Sequence, residues 1–359
     1  MKTWCASPFY QKSLRRKSDF PCCWLTNIDA EYSHERLRND FDNDVKSKYC
    51  STCWISEAKG VPSKRQQDNK LLSHNSKKSI EDLYAERHNG ILRSLQVTTS
   101  NLCNLACKSC GPHDSTKWYA EWNNNHNKQY SGVLEVDVSK IKDEDLMHLD
   151  NLEILGGEPF IDTNHYPILE RMIQMGKTDV PLVYTTNIQQ LPMPRLMELL
   201  VKFKRVMISC SIDGIGPVFE YMRWPGKWTK TLDTIDRLKL IPNFQLSVYS
   251  TVSNMNVFYF DQIIEWNLRH WSMTDWTYQI IQDPEELAPN ILPEDCKKQI
   301  AEKFTKSKYA KFLQPLVDTV NMPCDPILLR RFKDKMKTQD AFRKIDAKDF
   351  VPEIVDYLY

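Results

Sequence analysis

Residues 100 to 115 read SNLCNLACKSCGPHDS and carry Cys103, Cys107 and Cys110 in the spacing C-x3-C-x2-C. Thiolates are soft ligands, suited to zinc or to iron–sulfur clusters. Structural zinc takes a fourth Cys or His from nearby, and His113 is a candidate for that place. A cubane cluster asks for one ligand per iron, so three cysteines leave one iron open to a small molecule. Five further cysteines, Cys5, Cys22, Cys23, Cys50 and Cys53, lie in the first 53 residues, the last two as C-x2-C. They could hold zinc or a second cluster. Cys210, Cys296 and Cys324 stand alone and read as small buried hydrophobes.

Composition bounds the setting of this chemistry. The 359 residues suffice for one large domain or two moderate ones. Lys and Arg number 48 against 47 Asp and Glu, a balance that argues against nucleic acid or an anionic membrane as partner. No apolar run approaches the roughly 20 residues of a membrane span, and the start, MKTWCASPF, lacks the apolar region of a signal peptide. Eleven cysteines, clustered rather than dispersed, fit metal ligands in a reducing compartment. A cytoplasmic location is expected.

The elements that position the cysteines follow from periodicity. Short apolar, β-branched or aromatic runs at 92–99, 152–156, 181–187, 205–213, 244–252 and 276–281 predict strands. Between them, stretches such as HYPILERMIQMG and PRLMELLVKF space apolar residues by three and four, as helices do. Six βα units in a row imply an α/β fold with a parallel sheet covered by helices, whose chemistry sits at the C-terminal ends of the strands. Four divisions are expected: a Cys-rich module at 1–60, a polar connector with helix at 61–90, the βα region at 91–285 and a helical segment at 286–359.

With the cysteine loop after the first strand, GGEP (Gly156 to Pro159) after the second, TTN at the end of the third and SIDG at the end of the fourth, the chain resembles the radical S-adenosylmethionine superfamily over roughly residues 91 to 285. The resemblance implies a partial (β/α)6 barrel in which Cys103, Cys107 and Cys110 hold a [4Fe–4S] cluster. The open iron of that cluster would chelate S-adenosylmethionine through its amino and carboxylate groups. Reductive cleavage would then give methionine and a 5′-deoxyadenosyl radical that takes a hydrogen atom from substrate. Cofactor contacts are implied at Gly156, Gly157 and Glu158 for the ammonium group, Asn187 for the ribose, and Ser211 with Arg223 for the carboxylate. Ser109 stands where the family usually carries an aromatic residue, leaving backbone for the adenine contact.

The N-terminal cysteines are similar to the twitch, or half-SPASM, auxiliary modules of that superfamily, with Cys5, Cys22, Cys50 and Cys53 as ligands and Cys23 as the alternative to Cys22. Relatives with such modules act mostly on peptides or proteins, which makes a peptide the first expected substrate and a carbohydrate or other small molecule the next. An electron donor such as flavodoxin or ferredoxin is implied as partner. The reading from a different class is a non-catalytic zinc-binding interaction module.

Overall fold

The computed structural model describes residues 3–15, 18–22, 24–58, 60, 62–271, 276–281 and 283–359; Cys23 lies outside them. In the N-terminal part, α1 (Ser7–Tyr10) leads into a hairpin of β1 (Gln11–Arg15) and β2 (Ser18–Phe20), followed by α2 (His34–Asp42), α3 (Ser51–Ala58), α4 (Lys64–Ser76) and α5 (Ile80–Ala85). Next come β3 (Ser94–Thr98), α6 (Tyr119–Asn125), α7 (Asp143–Met147), β4 (Asn151–Leu155), α8 (Tyr166–Gln174), β5 (Leu182–Thr186), α9 (Pro194–Leu200) and β6 (Val206–Ser211). After these, α10 (Pro217–Met222), α11 (Trp228–Leu238), β7 (Phe244–Val252), α12 (Phe260–His270) and β8 (Trp276–Ile280) complete the alternation. The chain continues through α13 (Glu294–Thr305), α14 (Ala310–Val320), α15 (Pro326–Arg343) and α16 (Val355–Leu358).

All six strands expected from the apolar runs are present. They pair parallel in chain order from β3 to β8, and the sheet does not close, so the architecture is an open α/β barrel with a helical C-terminal part. β1 runs parallel to β3 and extends the sheet at that edge, with β2 antiparallel outside it.

Side chains alternate across each strand. Leu95, Val97, Ile154, Leu182, Tyr184, Ile208 and Val248 are fully buried against the helices and form the main core with Ile168, Leu169 and Leu199. The opposite face mixes half-exposed Thr98, Glu153, Thr185, Ser209, Tyr249 and Thr251 with Leu155, Val183 and Met207. A second core joins α12 to the C-terminal helices, with Cys296 inside it, while Cys210 is buried in the first. A third surrounds Trp4, Cys5, Phe9 and Tyr10, and takes Leu72 from α4 and Leu83 from α5. Among the described residues, no helix is long and apolar enough to cross a membrane.

Candidate active site

Because β3 to β6 are parallel, their C-terminal ends share one edge of the sheet. The loop of Cys103, Cys107 and Cys110 leaves β3, Gly156 follows β4 directly, Asn187 follows β5 directly and Ser211 is the last residue of β6. Backbone hydrogen bonds sew these ends together. Gly157 N–H donates to Ser100 O at 2.8 Å and Glu158 N–H to Leu102 O at 2.7 Å. The approach is so close that a Cβ on Gly157 would stand 2.4 Å from Leu102 O, and one on Gly156 2.7 Å from Thr99 Oγ1. The two glycines therefore admit the cysteine loop itself against the end of β4.

Glu158 is buried, and its carboxylate accepts from Phe160 N–H (3.0 Å), Thr186 Oγ1–H (2.7 Å) and Asn187 N–H (2.7 Å). Burial raises its pKa while those donors oppose the rise. The effect is to fasten the end of β5 to that of β4, with Asn187 between them. The amide of Asn187 donates to Asn104 Oδ1 at 2.7 Å and approaches Cys103 Sγ at 3.8 Å. Its successor Ile188 is buried with φ of 50°, left-handed backbone that costs a β-branched residue on the order of 1–3 kcal/mol.

Arg223 caps the C-terminus of α10 and is mostly buried. Its Nη2 lies 2.7 Å from Asp213 Oδ2 and its Nη1 points at Cys107 Sγ from 3.9 Å. Its Nε is buried without a partner among the described residues. Asp213 is held in turn by Thr251 N–H at 2.7 Å. Ser211, near 8% exposed, sits two residues upstream of that carboxylate.

Desolvation pushes the Cys103 thiol up to about 12. Cys107 is held below the ordinary thiol range, first by a hydrogen bond from Cys110 and, against burial, by the charge of Arg223. His113 is engaged elsewhere: its Nε2 lies 2.8 Å from the Tyr130 hydroxyl. Cys110 is exposed and opens onto a cavity of about 700 Å³ that Ser109, Trp118, Trp122, Asp283 and Gln339 also line.

The fit to a cluster rests on donors. A cubane takes each thiolate on a different iron, so its ligands need not converge on a point. Among the described residues no group of His, Cys, Asp or Glu converges as a single ion would require. Two N–H groups aimed at thiol sulfurs, one from Asn187 and one from the Arg223 cation, suit an anionic sulfur cluster.

Of the N-terminal cysteines, Cys5, Cys22, Cys50 and Cys53 line one pocket, with Pro8, Trp24, Leu25, Leu37 and Arg65 as its other walls. Burial pushes the Cys5 thiol up to about 12 and raises Cys50 and Cys53 as well. The Cys5 segment is clasped from α4: Arg65 Nη1–H donates to Trp4 O at 2.8 Å, and Ala6 N–H to Asn69 Oδ1 at 2.8 Å. Four thiols among apolar walls, with the Arg65 cation beside them, would suit a second anionic cluster.

Several residues of the site went unseen in the sequence. Asp213 sits inside SIDG yet drew no attention there. Asp162 accepts from Ser100 Oγ at 2.6 Å and from Thr99 Oγ1, and Asn164 Nδ2–H donates to the carbonyls of Thr99 and Val136, both at 2.9 Å. These fix the root of the cysteine loop; a polar D-x-N just past GGEP was the available signal. From the C-terminal segment, Asp340 and Arg343 on α15 reach Lys108 and Glu121.

No family model matches the chain, and no curated protein matches it. Among solved structures, native anSMEcpe with bound AdoMet aligns at 13% identity and a TM-score of 0.42, over 62% of this chain and 61% of that one. Streptococcus suis SuiB bound to precursor peptide SuiA aligns at 12% identity and a TM-score of 0.38, over 74% and 51%. SuiB bound to S-adenosylmethionine gives 12% and 0.39, over 65% and 48%. The chain spans less than two thirds of the length of each of these three structures.

Proposed function

We propose that this chain is a radical S-adenosylmethionine enzyme that abstracts a hydrogen atom from a substrate. The observation that carries the reading is the gathering of the Cys103–Cys107–Cys110 loop, Gly156–Glu158, Asn187 and Ser211 at one edge of a parallel sheet, with Arg223 between Asp213 and Cys107. A [4Fe–4S] cluster on the three thiols, with S-adenosylmethionine on its open iron, would supply reductive cleavage to methionine and a 5′-deoxyadenosyl radical.

The chain's own residues bind, orient and shield. The Arg223 fork, already fixed by Asp213, offers its remaining N–H groups to a carboxylate, and the Ser211 hydroxyl at the end of β6 is a second donor for it. Carbonyls of Gly156 and Gly157, with the free lone pair of Glu158, accept from an ammonium group. Asn187 offers its amide to ribose hydroxyls. The cavity beside Cys110 leaves room for a substrate, which we take first as a peptide and second as a carbohydrate or other small molecule.

The same reading gives residues 1–60 an auxiliary cluster on Cys5, Cys22, Cys50 and Cys53. Four protein ligands on that cluster favour electron transfer over substrate binding. It makes 61–90 the connector, 91–285 the barrel and 286–359 the helical segment, with a flavodoxin or ferredoxin as electron donor.

Equilibrium binding of S-adenosylmethionine to protein reconstituted anaerobically with iron and sulfide tests this. Wild type should bind, and Arg223→Ala should bind at least roughly tenfold more weakly, the loss of about one charge-assisted contact. A protein that keeps stoichiometric zinc and takes up no nucleotide would instead be the interaction module.

A further inference from the structure

Lys108 lies between two of the clustered cysteines, and its side chain is fully buried. Its ammonium pairs with Asp340 of α15 and stands 4.1 Å above the ring of Tyr221. The other oxygen of Asp340 accepts from the Tyr221 hydroxyl at 2.8 Å and the Tyr359 hydroxyl at 2.7 Å. One turn further along α15, Arg343 donates through Nε to Glu121 at 2.8 Å, with its guanidinium 4.8 Å from the Trp118 ring and 5.1 Å from Trp224. Both tryptophan residues hold the cysteine loop. Trp118 Nε1–H donates to Cys107 O at 3.1 Å, and Trp224 O accepts from Ala106 N–H at 2.7 Å.

Two buried ion pairs are a poor device for stability alone. Desolvating each ion is costly, and apolar residues of similar volume often serve as well or better. What such a pair does supply is a fixed position, because a lone buried charge is far costlier than a paired one.

We propose that Lys108 and Asp340 are positioning residues: the C-terminal helix α15 clamps the cysteine loop and holds its three thiols in the spacing that the cluster and its cofactor need. The inference rests on the function proposed above for the thiols, while the clamp itself is a property of the full chain without cluster.

The test is a paired replacement, Lys108→Met with Asp340→Asn, which removes both charges and leaves an acceptor for the two phenols. In the full chain as purified, hydrogen exchange of the amides at 103–110 should quicken at least tenfold, while β5 and β6 keep their wild-type protection. After reconstitution, the change that S-adenosylmethionine makes in the EPR spectrum of the reduced protein should be lost, and Lys108→Arg should retain it. If the pair unfolds the chain, Tyr359→Phe removes one donor to Asp340 without touching the loop and should quicken the same amides two- to threefold. Wild-type exchange at 103–110 in these variants, with an unchanged response to the nucleotide, overturns the clamp. A wild-type protein with no EPR response overturns the proposed function instead, and the exchange rates then decide the clamp on their own.

Discussion

Arg223 and Asp213 form the tightest test at the scale of single residues. With Asp213 removed, a buried guanidinium is left against a thiol, so Asp213→Ala should destabilise the chain by about 3 kcal/mol, read from urea unfolding. A change below about 1 kcal/mol, the worth of an exposed pair, would contradict the assignment. His165 gives an independent prediction. It is fully buried beside Tyr166, Tyr184 and Asp162, both ring nitrogens lack partners among the described residues, and burial pushes its pKa down to about 4 against the pull of Asp162. The unfolded chain takes up a proton near pH 6.5 that the folded chain refuses, so this contribution is complete above pH 6.5 and shrinks as pH falls toward 4. It amounts to about 2 kcal/mol lost at pH 5. His165→Phe should remove that loss, and equal pH slopes for variant and wild type would refute it. The types and spacing of Cys103, Cys107, Cys110, Ser211 and Arg223 were legible in the sequence. The partner of Arg223 was not, because a Coulombic pairing between a strand end and the far end of the next helix depends on where two side chains point.

At the scale of elements, the decisive contact is backbone against backbone. Gly157→Ala puts a methyl 2.4 Å from Leu102 O, and neither strand end nor loop has a flexible side chain to yield there. We expect a loss of about 1–3 kcal/mol from overpacking and reduced iron uptake by the displaced loop. Gly111→Ala, with open space around its Cβ, should stay within about 0.5 kcal/mol. Wild-type iron content in Gly157→Ala would contradict the close approach. Strands were readable because the apolar runs are short and rich in β-branched and aromatic residues, and all six lie within two residues of expectation. The contribution of α15 was hidden, although Asp340 and Arg343 stand one helical turn apart on one side of it. Their partners are more than 200 residues away along the chain, and such pairings leave no trace in a single sequence.

Across the whole molecule, the place of the N-terminal hairpin was not legible in the sequence. The QKSLR strand has no apolar pattern that selects β3 as neighbour, yet it lies in register with it from Gln11 against Ser94 to Leu14 against Val97. This pairing builds the Cys-rich segment onto the barrel edge. Because β1 and β3 are parallel, Cys5 precedes the N-terminal end of that edge, while Cys103 follows its C-terminal end. If both thiol groups hold cubanes, reconstituted protein should carry about eight irons per chain, falling to about four in Cys50→Ser/Cys53→Ser. Zinc in place of the missing four would reassign the N-terminal site and leave the barrel site standing. The central claim, an open iron corner occupied by a sulfonium nucleotide, is tested most directly by anaerobic incubation of reconstituted protein with dithionite and S-adenosylmethionine. The account predicts release of 5′-deoxyadenosine by wild type and none by Cys107→Ala; equal release from both, or none from an iron-loaded wild type, would contradict it.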